Sequence, residues 1–125
     1  MINWIKQSVN PCLPLLVENA NWDGTTLHFH GKEWRFSSMA AWRIIYNNKF
    51  ISGSGMTHDF KIIARIKNLY IVAIEIQSPD FPIDPVLIFS NGYRLELFST
   101  FYLEPWIFSL PGPIVYAADP TSPIK

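Results

Sequence analysis

Residues 84–112 read DPVLIFSNGYRLELFSTFYLEPWIFSLPG. Two apolar runs flank Asn91-Gly92, a dipeptide that reverses a chain readily because both residues tolerate positive φ. Residues 86–98 are therefore expected to form a β-hairpin. A two-residue turn pairs Ser90 with Tyr93, Phe89 with Arg94, Ile88 with Leu95, Leu87 with Glu96 and Val86 with Leu97. Val86, Ile88, Leu95 and Leu97 then make the core face. Residues 106–110 and 114–117 supply two short closing strands around Pro111-Gly112-Pro113. This half of the chain demands a β-rich core, and it holds no catalytic motif.

The rest of the chain reads the same way. Residues 2–8 are ambiguous between a short helix and an edge strand, and Pro11 and Pro14 end that segment. Residues 15–20 form a strand and 21–24 a turn. Residues 25–37 form a hairpin with Gly31-Lys32 at its turn. Its pairs are His30 with Glu33, Phe29 with Trp34, His28 with Arg35 and Leu27 with Phe36. Leu27, Phe29, Trp34 and Phe36 share one face; His28, His30, Glu33 and Arg35 share the other. Residues 41–46 and 49–52 are strands joined at Asn47-Asn48, and Gly53-Ser54-Gly55 ends the second. Asp59 reads as the N-cap of a helix over 60–67. Residues 68–77 form a long strand with Tyr70, Val72, Ile74 and Ile76 alternating. Residues 78–85, with three prolines and two aspartates, form a loop.

A chain of 125 residues with 49% apolar, 15% aromatic and 16% charged residues buries one sizeable core. The expected fold is mainly β: a single domain over 1–125. It is an antiparallel twisted sheet or half-barrel of about ten short strands, with one or two short helices. The segment 118–125 is rich in Pro, Ser and Thr and is expected to be disordered. Cys12 is the sole cysteine, so no internal disulfide forms, and a small buried side chain is its expected role. The first ten residues lack the pattern of a signal peptide, and the longest apolar run, 70–74, is far too short to span a membrane. A cytoplasmic protein is expected.

Searching for chemistry yields little. His28-Phe29-His30 puts two imidazoles on one side of a strand, as zinc sites do, but His28 faces Arg35 and no third ligand is identifiable. His58-Asp59 has the composition of an oriented base, yet neighbours at a helix start rarely point at each other. Gly53-Ser54-Gly55 lacks the lysine of a phosphate loop. Asp80 and Asp84 with Glu75 or Glu104 could act as paired carboxylates, but they lie in or near a Pro-rich loop. Five tryptophans invite a stacking platform, but zero net charge argues against nucleic acid. No catalysis, metal or cofactor is expected.

Charge is sorted along the chain. Residues 32–67 carry seven basic and two acidic side chains, whereas residues 68–124 carry six acidic and one basic. Either the two sets pair across the sheet or one serves a partner.

The order of segments is also informative. Trp42-Arg43-Ile44 is followed by a short Lys/Ile strand, a Ser-Gly turn, an Asp-led helix and the L-x-x-V of Leu69 to Val72. A Pro-Asp loop, L-x-F-S-N-G-x-x-L-x-L-F over 87–98 and E-P-W-x-x-x-L-P over 104–111 complete it. Across residues 25–116 this layout resembles small bacterial proteins encoded beside polymorphic toxins, including immunity proteins of contact-dependent growth inhibition systems. The resemblance implies an inhibitor that binds a cognate toxin domain, a nuclease by expectation, as a monomer in a 1:1 complex. A basic nuclease surface would want clustered carboxylates. Asp80 and Asp84, flanked by prolines, are the first expected contacts. Glu104 beside Trp106 is the second, with Glu75 nearby. The competing reading is a small-molecule or sugar-binding β domain without catalysis.

Overall fold

The computed structural model describes residues 9–76, 84–99, 106–111 and 114–117. Its strands are β1 (Leu15–Leu16), β2 (Asn19–Trp22), β3 (Leu27–Gly31), β4 (Trp34–Ser38), β5 (Ala41–Tyr46), β6 (Lys49–Gly53), β7 (Tyr70–Ile76), β8 (Pro85–Phe89), β9 (Arg94–Phe98), β10 (Trp106–Leu110) and β11 (Ile114–Ala117). Among the described residues the helices are a 3-10 turn at Asn10–Cys12 and α1 (Asp59–Ala64). Residues 2–8, 78–83 and 118–125, for which the sequence raised expectations, lie outside the described residues.

All strand pairs are antiparallel, as expected for a mainly β chain with short connections. They form two sheets, ordered β1-β7-β8-β9-β5-β6 and β11-β10-β4-β3-β2. So many strands in one sheet would leave an apolar face bare; two sheets cover each other's inner faces. Phe29 of β3 meets Phe89 of β8 edge-on at 5.7 Å, and Trp22 of β2 meets Trp42 of β5 at 5.5 Å and 87°. These ring pairs cross between the layers, and a single hydrophobic cluster draws on both.

The chain changes sheet early. Residues 15–20 are not one strand: β1 pairs with β7, and β2 pairs with β3 in the other sheet. Trp22 ends β2 instead of lying in a turn, because its ring is buried in the core. The turn follows it, where Asp23 Oδ1 accepts the N–H groups of Thr25 and Thr26 at 2.8 and 2.7 Å.

The β3–β4 hairpin turns at Lys32-Glu33, one residue later than expected, with Glu33 at φ 62°. Gly31 pairs with Trp34, and Phe29 with Phe36. Turn preference does not place Gly31; space does. A Cβ there would lie 2.2 Å from Trp34 Nε1 and 2.3 Å from the Leu16 carbonyl oxygen. The bare backbone lets the Trp34 indole N–H donate to that carbonyl at 3.0 Å. The slip preserves strand parity, so Leu27, Phe29, Trp34 and Phe36 still face the core.

The β8–β9 hairpin is present, but its loop has three residues, Ser90, Asn91 and Gly92. Gly92 N–H donates to the Phe89 carbonyl, Phe89 N–H donates to the Tyr93 carbonyl, and both are 2.9 Å. Only Gly92 takes a positive φ, 95°, the arrangement of a turn with a G1 bulge. Leu87 consequently pairs with Leu95, and Val86 with Glu96. Leu87, Phe89, Leu95 and Leu97 join the shared core cluster; Val86 and Ile88 take the other face, where Val86 is still fully buried and Ile88 only partly.

Strand β7 also departs from simple alternation. A bulge at Val72 reverses parity, so Ile71 and Ile74 are buried while Tyr70 and Val72 are exposed. The β5–β6 hairpin, the Asn47-Asn48 turn (φ 51° and 61°) and strands β10 and β11 stand where the sequence puts them.

Candidate functional site

Two of the acidic residues expected to meet a partner, Asp84 and Glu75, are engaged with their own chain. Asp84 precedes β8, and its carboxylate accepts the backbone N–H of Ser99 at 2.7 Å and the Ser99 hydroxyl, tying the start of β8 to the end of β9. Glu75 on β7 accepts from Arg94 Nη1 at 3.1 Å. Asp80 and Glu104 lie outside the described residues. Trp106 is corrected to a core residue: it is 1% exposed and stacks on Phe36, so it offers no face to a partner.

The charge sorting is partly cancelled in space. Arg43, from the basic stretch, forms an ion pair with Glu96, from the acidic one, across β5 and β9. The Arg43 guanidinium also sits 5.0 Å over the Phe98 ring.

A different surface is left open at the β6 edge. The β5–β6 ladder carries a bulge that leaves Ile51 unpaired between Phe50 and Ser52. Phe50 and Ile51 are 53% and 41% exposed, and Met56 and Phe60, just downstream, are 51% and 58% exposed. The first helical turn is set by Asp59. His58 holds the N-cap position with φ 69° and caps nothing through its side chain. Asp59, expected as the cap, is instead the first helical residue, and it is buried. One of its carboxylate oxygens accepts Trp22 Nε1–H at 2.9 Å and Gly55 N–H at 3.1 Å; the other accepts Phe60 N–H at 2.8 Å. With that oxygen pair fixed, Ile62, Ile63 and Ile66 turn inward and Phe60 turns outward.

Between β6 and α1 lies a cleft of about 380 Å³, lined by Ile51, Ser52, His58, Lys61, Ile62 and Arg65, with Thr57 at its side. Lys61 and Arg65 are exposed and take part in neither ion pair found among the described residues. Ser52 is 6% exposed, and its hydroxyl has no hydrogen-bond partner among the described residues.

By helical spacing Phe60 shares a stripe with Ile63, Ala64 and Lys67, blurred by Ile62 and Ile66, which hides this surface in the sequence; in the structure Ile63 is buried and Phe60 exposed. One signal was present: the adjacent apolar pair Phe50-Ile51 breaks the alternation of a half-buried strand. His28 and His30 are both exposed on β3, and Arg35 stands opposite His30, with Ser37 opposite His28. Among the described residues no group of three or more His, Cys, Asp or Glu side chains is placed to hold a metal, and no helix is long and apolar enough to cross a membrane. Comparisons with family models, curated proteins and solved structures give no match for this chain.

Proposed function

We propose that this chain is a cytoplasmic immunity protein that neutralises a cognate toxin domain by binding it one to one, without catalysis or a cofactor. The observation that carries the reading is the exposed apolar set Phe50, Ile51, Met56 and Phe60 on neighbouring parts of one chain segment. Large apolar side chains gathered at the surface mark protein interfaces. Lys49, His58, Lys61 and Arg65 are exposed in the same stretch of chain, so an interface built on it would carry cations beside its apolar side chains. The complementary partner surface is apolar with carboxylates. A nuclease that holds a metal ion through carboxylates has such a surface at its active centre. This complementarity also suits a chain of zero net charge better than an all-acidic inhibitor would.

The test is growth protection. Cells expressing the toxin domain encoded beside this chain should survive when the wild-type chain is co-expressed. Phe50→Ser with Phe60→Ser should abolish protection while leaving the protein folded, because both side chains are exposed. Full protection by the double variant would exclude this surface, and no protection by the wild type would exclude the function.

A further inference from the structure

We infer that the cleft between β6 and α1 is a binding site for the phosphate group of a phosphate monoester about the size of a mononucleotide. Its volume, about 380 Å³, falls within the range of small-ligand sites, roughly 300–1,000 Å³.

The charge inside it has one sign. Among the described residues His58, Lys61 and Arg65 line the cleft and no carboxylate does. The nearest acidic residue in sequence, Asp59, spends its oxygens on Trp22, Gly55 and Phe60. Lys61 and Arg65 are therefore not neutralised by any ion pair among the described residues. Two adjacent cations suit a phosphate dianion better than a single carboxylate, and the arginine fork matches two phosphate oxygens at once.

The second observation is independent of charge. Ser52 lines the cleft, is 6% exposed, and its hydroxyl is unpaired. Other serine hydroxyls near strand ends are used: Ser38 accepts from Ala40, Ser54 from Trp42, Ser90 from Tyr70, and Ser99 donates to Asp84. A buried hydroxyl without a partner is costly and rare. The oxygen itself is covered, so a phosphate held by Lys61 and Arg65 would accept its proton once the wall beside Ser52 shifts. The apolar side chains of Ile51 and Ile62 then provide walls for the organic part of the ester. The inference concerns the isolated chain and does not depend on the toxin reading.

The test is a titration of the isotope-labelled chain followed by amide chemical shifts. The added compounds are inorganic phosphate, adenosine monophosphate, adenosine, and sodium chloride at matched ionic strength. Phosphate should shift the amides of Ser52, Thr57, Lys61 and Arg65 saturably with millimolar affinity, and the monophosphate should saturate several-fold earlier. Lys61→Ala and Arg65→Ala should each weaken binding several-fold at unchanged melting temperature. Ser52→Ala should weaken it as well, yet raise the melting temperature by removing the unpaired hydroxyl. The inference is overturned if phosphate produces no saturable shift, or if adenosine binds as well as its monophosphate. It is equally overturned if the shifts survive all three substitutions or spread evenly to Lys32 and Lys49.

Discussion

The indole N–H of Trp22 donates to a carboxylate oxygen of Asp59 across 2.9 Å, joining the five-stranded sheet to the helix 37 residues away. Both residues are buried, and the same carboxylate also holds Gly55 and Phe60. Asp59→Ala strands the buried Trp22 indole N–H and takes the acceptor from the part-buried N–H groups of Gly55 and Phe60, and should cost about 2–4 kcal/mol, measured as a shift in the urea midpoint. Trp22→Phe should cost less. The pair should show a coupling of at least about 1 kcal/mol in a double-mutant cycle.

Two glycines should respond to substitution for different reasons. Gly31→Ala forces a methyl into Trp34 Nε1 and the Leu16 carbonyl, at 2.2 and 2.3 Å. Its cost should reach about 3 kcal/mol, as for overpacking in a rigid core. Gly92→Val meets only the Tyr46 ring at 3.2 Å but must hold φ near 95°. About 1–2 kcal/mol is expected there. Denaturant titration of both variants should rank Gly31→Ala as the more damaging.

Asp23 provides a pH test. The Thr26 N–H bond, then the Thr25 N–H bond, hold its carboxyl below the usual aspartate range. A carboxyl whose folded pKa is depressed adds stability above its unfolded value and loses it as pH falls through the folded one. The melting temperature of the wild type should therefore fall, as the pH drops below about 4, by more than that of Asp23→Asn. Parallel curves for the two proteins would contradict this.

The acidic residues separate into structural and dispensable ones. Asp84→Ala removes two acceptor contacts to Ser99 and should cost about 1–2 kcal/mol. Glu75→Gln breaks only a solvent-exposed ion pair with Arg94 and should change stability by less than about 0.5 kcal/mol. Thermal unfolding of the two variants checks the contrast.

Local signals were legible and long-range ones were not. Asn47-Asn48 and Asn91-Gly92 marked their turns, because the ease with which Asn47, Asn48 and Gly92 take a positive φ belongs to the residues themselves. The register at Asn91-Gly92 was misread by one residue because that dipeptide also fits the end of a three-residue loop. The bulge at Val72 has no signature in a run of apolar residues. Asp59 looked like a cap because its actual partner, Trp22, is distant in sequence. Trp106 beside Pro105 looked like an anchor for a partner, since nothing in a strand of mixed apolar residues says which face is covered. The open surface at Phe50 and Phe60 depends on how Asp59 fixes the helix, so the one local signal, the adjacent apolar pair Phe50-Ile51, is not enough to disclose it.

The most direct measurement is calorimetric titration of the purified chain with the proposed cognate toxin domain, using wild type and Phe60→Ser. A 1:1 complex is expected, with the variant bound at least about 30-fold more weakly, the loss of roughly 2 kcal/mol that marks a central interface residue. Its melting temperature should stay that of the wild type. Equal affinity for wild type and Phe60→Ser, or no complex with either, would contradict the account.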